Sequence, residues 1–191
     1  MVFSVVSKIL GFVREVVLSY TYGASAITDA YLTSHTIPNV IFSFVGVGIS
    51  TGFIPMYSRI LKKDGKEYAD LYTSNLSNTM VLFASLMVII VFWRTEPIVK
   101  LFASGFSGET LQLAIRFTRI SVFGVYSTAL LNVFTSLLRL NGSFIIPELV
   151  GVPMNLLVIA SLLVSVKTNV YVLAIGSVLA SMAQVIFLVP F

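Results

Sequence analysis

The chain has 191 residues, 57% hydrophobic and 10% charged, with 12 Lys and Arg against 8 Asp and Glu. A water-soluble domain carries about 25% charged residues, so this composition excludes one and points to a protein immersed in lipid. With no cysteine there is no disulfide, thiolate metal site or cysteine nucleophile, and the net charge of +4 follows membrane topology rather than nucleic-acid binding.

In lipid every backbone N–H and C=O must find a partner within the protein, so spans are expected as helices of about 20 apolar residues. Six are expected, over 2–22, 27–61, 73–93, 111–140, 145–166 and 170–190, giving an all-α, polytopic membrane fold. Runs such as "MVLFASLMVIIVFW" lack the alternation of a β-barrel. The opening "MVFSVVSKIL" has neither a basic leader nor a small-residue cleavage site, so no cleaved signal peptide is expected, and both ends read as cut.

The first span holds Lys8, Arg14 and Glu15. At about 100° per residue, Ser4, Ser7, Lys8, Gly11, Arg14, Glu15, Ser19 and Tyr22 share one face, interrupted only by Leu18. Val5, Val6, Ile9, Leu10, Phe12, Val13, Val16, Val17 and Tyr20 occupy the other. A charge at the bilayer centre costs at least about 2.5–3.5 kcal/mol, so the polar face is expected to look inward. It does so either as buried ion pairs or as the wall of a hydrated cavity.

The second span repeats polar residues on a seven-residue stride, Asp29, Thr36, Ser43 and Ser50, with Asn39 and Gly46 between. At 1.5 Å per residue its ~34 residues would reach ~51 Å, so Pro38 and Pro55 are expected to kink or end it. His35 is the sole histidine. It can build no multi-histidine metal site and reads as a helix-interface residue rather than a proton carrier. "GVGISTG" lacks the preceding strand of a nucleotide loop; Gly48 and Gly52 read instead as a G-x-x-x-G close-packing pair. "LKKDGKEYAD" reads as a solvated loop, and Trp93 beside Arg94 as an interfacial anchor.

Further along, Thr118, Ser121, Thr128, Asn132, Thr135 and Arg139 trace a stripe on the fourth span. Pro147 and Pro153 should bend the fifth, which pairs Glu148 with Asn155, and the sixth carries Ser177, Ser181 and Gln184. Several helices are thus expected to turn polar seams toward a common interior. Seams of small residues serve close helix packing, whereas Lys8, Arg14, Glu15 and Asp29 exceed what packing needs. The planar guanidinium of Arg14 suits a phosphate, which favours an anionic substrate. No nucleophile, base and orienting group stand at interpretable spacing, so no enzyme is expected. Arg59, Lys62, Lys63, Lys66 and Arg139 stand against Arg94, Lys100 and Lys167, with Arg116 and Arg119 just inside the fourth span, and this modest margin favours both chain ends in the cytoplasm.

The strings "SKILGFVREVVLSYTYGASAITDAYLTSHTIPN", "GFIPMYSRI", "VKLFASGFSGET", "FTRIS" and "NGSFIIPELVGVPMNLLVI" resemble the MurJ (MviN) lipid II flippases of the multidrug/oligosaccharidyl-lipid/polysaccharide exporter superfamily. The resemblance implies one six-helix lobe, residues 1–191, of a two-lobe protein whose second lobe is absent here, so the chain is expected to be a fragment or to work beside that lobe. It implies translocation of lipid II, the undecaprenyl-pyrophosphate-linked peptidoglycan precursor, from the inner to the outer leaflet of the bacterial plasma membrane by alternating access. The implied partners are lipid II, membrane lipids and the second lobe. No cofactor is implied, an ion gradient or the membrane potential being the driving force. The family's cavity charges map onto Lys8 (where arginine is usual), Arg14, Glu15 and Asp29, and Asn39 of I-P-N joins them as a candidate substrate contact. After I-P-N, Phe42 and Ser43 stand where many members carry paired arginines, and Val47 where they carry glutamate. In this the chain resembles clostridial-type members. The rival expectations are an exporter of another polyprenyl-linked saccharide or of a cationic drug, or a scaffold in envelope synthesis.

Overall fold

The computed structural model describes residues 2–190, with the side chains of Val2, Phe3, Phe44, Val45 and Ser50 outside the description. Ser50 of the predicted second-span stripe therefore lies outside the described side chains. The described residues form helices without strands: α1 (Val2–Tyr22), α2 (Ala26–Lys63), α3 (Lys66–Trp93), α4 (Thr95–Phe102), α5 (Gly108–Ser121), α6 (Gly124–Leu140), α7 (Ile145–Leu149), α8 (Gly151–Lys167) and α9 (Tyr171–Leu188). By length and apolarity α2, α3, α7 with α8, and α9 can each cross a bilayer, and α5 with α6 makes a fifth crossing bent by 43°. At 21 residues α1 is long enough, but its Lys8, Arg14 and Glu15 set it apart from those five.

The greasy arc of α1 faces outward as its periodicity predicts: Phe12 is 70% and Tyr20 90% exposed. With Leu82 and Ile89 of α3, Leu163 of α8 and Ile186 of α9, these residues form the apolar exterior that a lipid-facing bundle requires. Inside, Leu18, Ile37, Phe117, Leu162 and Leu173 form the largest buried cluster, drawing α1, α2, α5, α8 and α9 together.

Four expectations are corrected. Pro38 and Pro55 both lie inside α2, which runs unbroken over 38 residues, so neither ends the helix. Each proline lacks the N–H that would bond the carbonyl four residues back, that of Ser34 or Thr51, and the helix continues through both positions. The charged "LKKDGKEYAD" segment is not a loop of that length. Gly65, at φ +92°, makes the turn, and Lys66 already starts α3, with Glu67 complementing the helix dipole. The fourth span is not one rod: it breaks at Val122 and Phe123, and the bend brings α6 onto α9, where a Cβ on Gly124 would meet the Ser181 hydroxyl at 3.4 Å. The polar connection after Trp93 folds as α4, which buries Thr95 and Val99 and pairs Glu96 with Lys100 at 2.7 Å. This Lys100 ammonium, one turn on, holds the exposed Glu96 carboxyl below its ordinary range. Pro153 sits in the first turn of α8, where its missing N–H costs little, and α7 and α8 together make one span over Ile145–Lys167.

The G-x-x-x-G reading is also overturned. Gly48 and Gly52 are open, with nothing within 4 Å of an added Cβ, and they line a shallow apolar groove with Phe53, Tyr72 and Met80. The close approaches are elsewhere. Gly46 faces Asn132 on α6 at 3.2 Å, and Gly176 on α9 would drive a Cβ into the Ser161 side chain of α8. Gly176→Ala should therefore separate α8 from α9 and cost about 1–3 kcal/mol, whereas Gly52→Ala should leave stability unchanged or raise it; thermal unfolding in detergent checks both.

Candidate functional site: a polar cavity walled by α1, α2, α6 and α9

The inner face of α1 divides into two parts. Its small residues pack on α7 and α8: the Ser4 hydroxyl donates to the Glu148 carboxylate, and Gly11 lies beside the Asn155 amide. A Cβ on Gly151 would meet the Ser7 hydroxyl, which would have to turn away, so α8 lies close to α1 here. Tyr22 closes the seam with a 2.7 Å hydrogen bond to Ser165. For the small residues, close packing is the correct reading.

Arg14 and Glu15 are different. Both line a cavity of about 260 Å³ with Tyr31, His35 and Asn39 of α2, Thr128 of α6 and Gln184 of α9. Asn155 of α8 holds Arg14 in place: its Nδ2 donates to the Ser7 carbonyl at 3.2 Å, and its Oδ1 accepts from Arg14 Nη1 at 3.3 Å. Arg14 Nε and Nη2 both donate to Glu15 Oε1, at 3.2 and 2.5 Å. Three of the five guanidinium N–H groups are thereby used, leaving two for a ligand. Behind the cavity, Tyr31 and Ser177 share a hydrogen bond of 2.8 Å, and Ser34 meets Ser121 at 3.3 Å, tying α2 to α9 and α5.

Of the five candidate residues the structure brings together three, Arg14, Glu15 and Asn39. Lys8 and Asp29 are exposed and do not line the cavity. Thr36 and Ser43 of the α2 stripe are also exposed, their hydroxyls turned back to the Leu32 and Val40 carbonyls, so this stripe does not face the bundle interior. The helix face that does is marked by Tyr31, His35 and Asn39, a polar i, i+4, i+8 series that the seven-residue stride overlooked. Phe42, where the family resemblance expects an arginine, is buried against Ala84, Val88 and Val125.

Residues 18–191 match the family model described as "Lipid II flippase MurJ". The chain belongs to the lipid II flippase MurJ family. It is 31% identical over 176 residues to the lipid II flippase MurJ of Thermosipho africanus, covering 92% of this chain and 36% of the relative. It is 28% identical over 183 residues to the probable lipid II flippase MurJ of Aquifex aeolicus, covering 94% and 36%. A solved structure titled "Lipid II flippase MurJ, inward closed conformation" superposes with a TM-score of 0.87 at 28% identity, over 99% of this chain and 40% of that one. The chain thus spans well under half the length of these MurJ relatives. Its membrane-spanning helices and its family make it a multi-pass membrane protein.

Asn155→Leu keeps the branched shape at this position but removes both of the Asn155 hydrogen bonds to α1. It should lower stability in detergent by about 0.6–1.7 kcal/mol, read as an earlier unfolding midpoint, with a smaller loss for Asn155→Gln.

Proposed function

We propose that this chain is the first lobe of a transporter that flips lipid II, the polyprenyl-pyrophosphate-linked peptidoglycan precursor, from the inner to the outer leaflet of the bacterial plasma membrane. The observation that carries this reading is a guanidinium with two uncommitted N–H groups, lining a cavity of mixed polar and apolar walls inside a membrane-spanning bundle. Buried charge in a membrane helix is expensive and marks the path of a polar substrate. The planar Arg14 fork is matched to a phosphate oxygen pair.

At about 260 Å³ the cavity is smaller than the roughly 300–1,000 Å³ of a site that encloses a drug-sized ligand. It accommodates a phosphate and its first linkage, and the sugar-peptide portion requires a larger, shared space. Lys8 and Asp29, exposed on this lobe, supply the direction of that space. Each would cost at least about 2.5–3.5 kcal/mol against acyl chains, so the face bearing them is set against a second six-helix lobe. Rocking of the two lobes about the site between them gives alternating access, driven by an ion gradient or the membrane potential. Arg59, Lys62, Lys63 and Lys66 at the α2–α3 turn hold that turn, and with it both ends of this lobe, on the cytoplasmic side.

Exporters of cationic drugs make a less suitable reading, because Arg14 would repel such a substrate at the cavity wall. A pure scaffold would account for the Ser4, Ser7, Gly11 and Gly151 seam but gives no role to a cavity beside it.

Arg14→Gln removes the charge and the fork. A lost charged hydrogen bond of about 1.5–3 kcal/mol corresponds to roughly tenfold or more. Lipid II translocation in proteoliposomes, measured on the protein as its gene encodes it and at matched protein levels, should fall by that factor. Undiminished flipping would remove Arg14 from the substrate path.

A further inference from the structure

His35 is the one group in the cavity wall that the packing does not account for. Its Nε2 is buried yet has no hydrogen-bond partner among the described residues. Buried side-chain nitrogens are nearly always paired, and leaving one unpaired costs about as much as a lost hydrogen bond. The ring is held in place by an edge contact with Tyr31, at 4.7 Å between centroids and 73° between planes, and Tyr31 is itself fixed by Ser177.

The charges around this ring are few. From α1 come Arg14 and Glu15, bonded to each other at 2.5 Å. Its own helix adds Tyr31, and the cavity residues from α5, α6, α8 and α9 are uncharged. With His35 neutral the lining has one cation and one anion and no net charge. Protonation of a single imidazole therefore converts it to a net positive site, with a donor at Nε2 in addition to the free guanidinium N–H groups of Arg14.

We propose that His35 is the proton-dependent half of an oxyanion site in this cavity, its imidazolium and the Arg14 fork together holding a phosphate-type group that is released when the ring loses its proton. The proposal rests on the reading of the cavity as a substrate site and adds its regulation. By linkage, an oxyanion that binds the charged ring must raise the ring's titration midpoint, and the site must weaken as pH rises through that midpoint.

The sole histidine makes the test direct, since ¹⁵N-histidine labelling reports a single ring. The chain in phosphatidylcholine nanodiscs is titrated between about pH 4 and 8 in sodium sulfate and in sodium chloride of equal ionic strength. Sulfate is the probe because its own charge is constant over that range. The midpoint should rise in sulfate by at least about 0.5 unit, or roughly threefold tighter binding to the imidazolium form. A midpoint indifferent to sulfate, or a ring that never titrates in this range, overturns the proposal. In proteoliposomes, lipid II translocation should fall as pH rises in the native protein, with the slope flattened in His35→Asn. If the native protein flips lipid II while sulfate leaves the ring unmoved, the histidine proposal fails alone. If sulfate raises the midpoint but no flipping occurs at any pH, the flippase reading fails and the oxyanion site stands.

Discussion

The arrangement of the polar interior depends on one side chain, the amide of Asn155. In lipid an amide cannot fall back on water, so both of its ends must be satisfied by protein. Asn155 does this by bridging the Ser7 carbonyl and the Arg14 guanidinium, which fixes the rotation of α1 relative to α8. Beside the bridge the helices are close at Gly151, where a Cβ would meet the Ser7 hydroxyl, whereas a Cβ on Gly11 would rest in ordinary contact with the amide at 3.8 Å. Rotated by one residue, α1 would turn Arg14 away from the cavity and bring Val13 or Glu15 against α8. The amide and the guanidinium are therefore one device, and the cavity wall follows from it.

The same device explains which parts of the sequence were legible. The apolar face of α1 could be read, because a helix with lipid on one side and protein on the other must separate its residues by face, and the exposed Phe12 and Tyr20 lie where that rule puts them, whereas Lys8 on the polar face is exposed as well. The glycines of α2 could not be ranked by sequence alone. Gly46, Gly48 and Gly52 differ only in what stands opposite, and Asn132 happens to face the first of them. Breaks such as Val122–Phe123 leave no proline or paired glycine behind, since apolar residues continue through the bend. The start of α3 was hidden by charge: Lys66, Glu67 and Asp70 are compatible with a helix that extends beyond the hydrocarbon, and hydropathy registers only the part inside it.

The site was legible in Arg14, Glu15 and Asn39, but not in Lys8 or Asp29, which lie outside the cavity. A polar stripe tells that a helix face avoids lipid, but not which neighbour covers it. Thr36 and Ser43 satisfy themselves on their own helix and stay exposed, while Tyr31 and His35, on the adjacent face, meet the interior. A Tyr or His within an apolar run is read first as core, and its distinguishing feature here, a ring nitrogen left without a partner, exists only in three dimensions.

The pairing of Arg14 with Glu15 also bears on how tightly such a site could hold a ligand. Side chains that are 28% and 49% exposed form a pair in partial contact with solvent, and such pairs contribute only about 0–1 kcal/mol. An incoming phosphate can therefore displace Glu15 from the guanidinium at small cost, and the carboxylate is positioned to reclaim it afterwards. A guanidinium without that competitor would bind an anion more tightly and release it more slowly, which suits a receptor rather than a carrier. Under the proposed function Glu15 would belong to the binding cycle although it has the same charge sign as the ligand, because the affinity a carrier needs is bounded from above as well as from below.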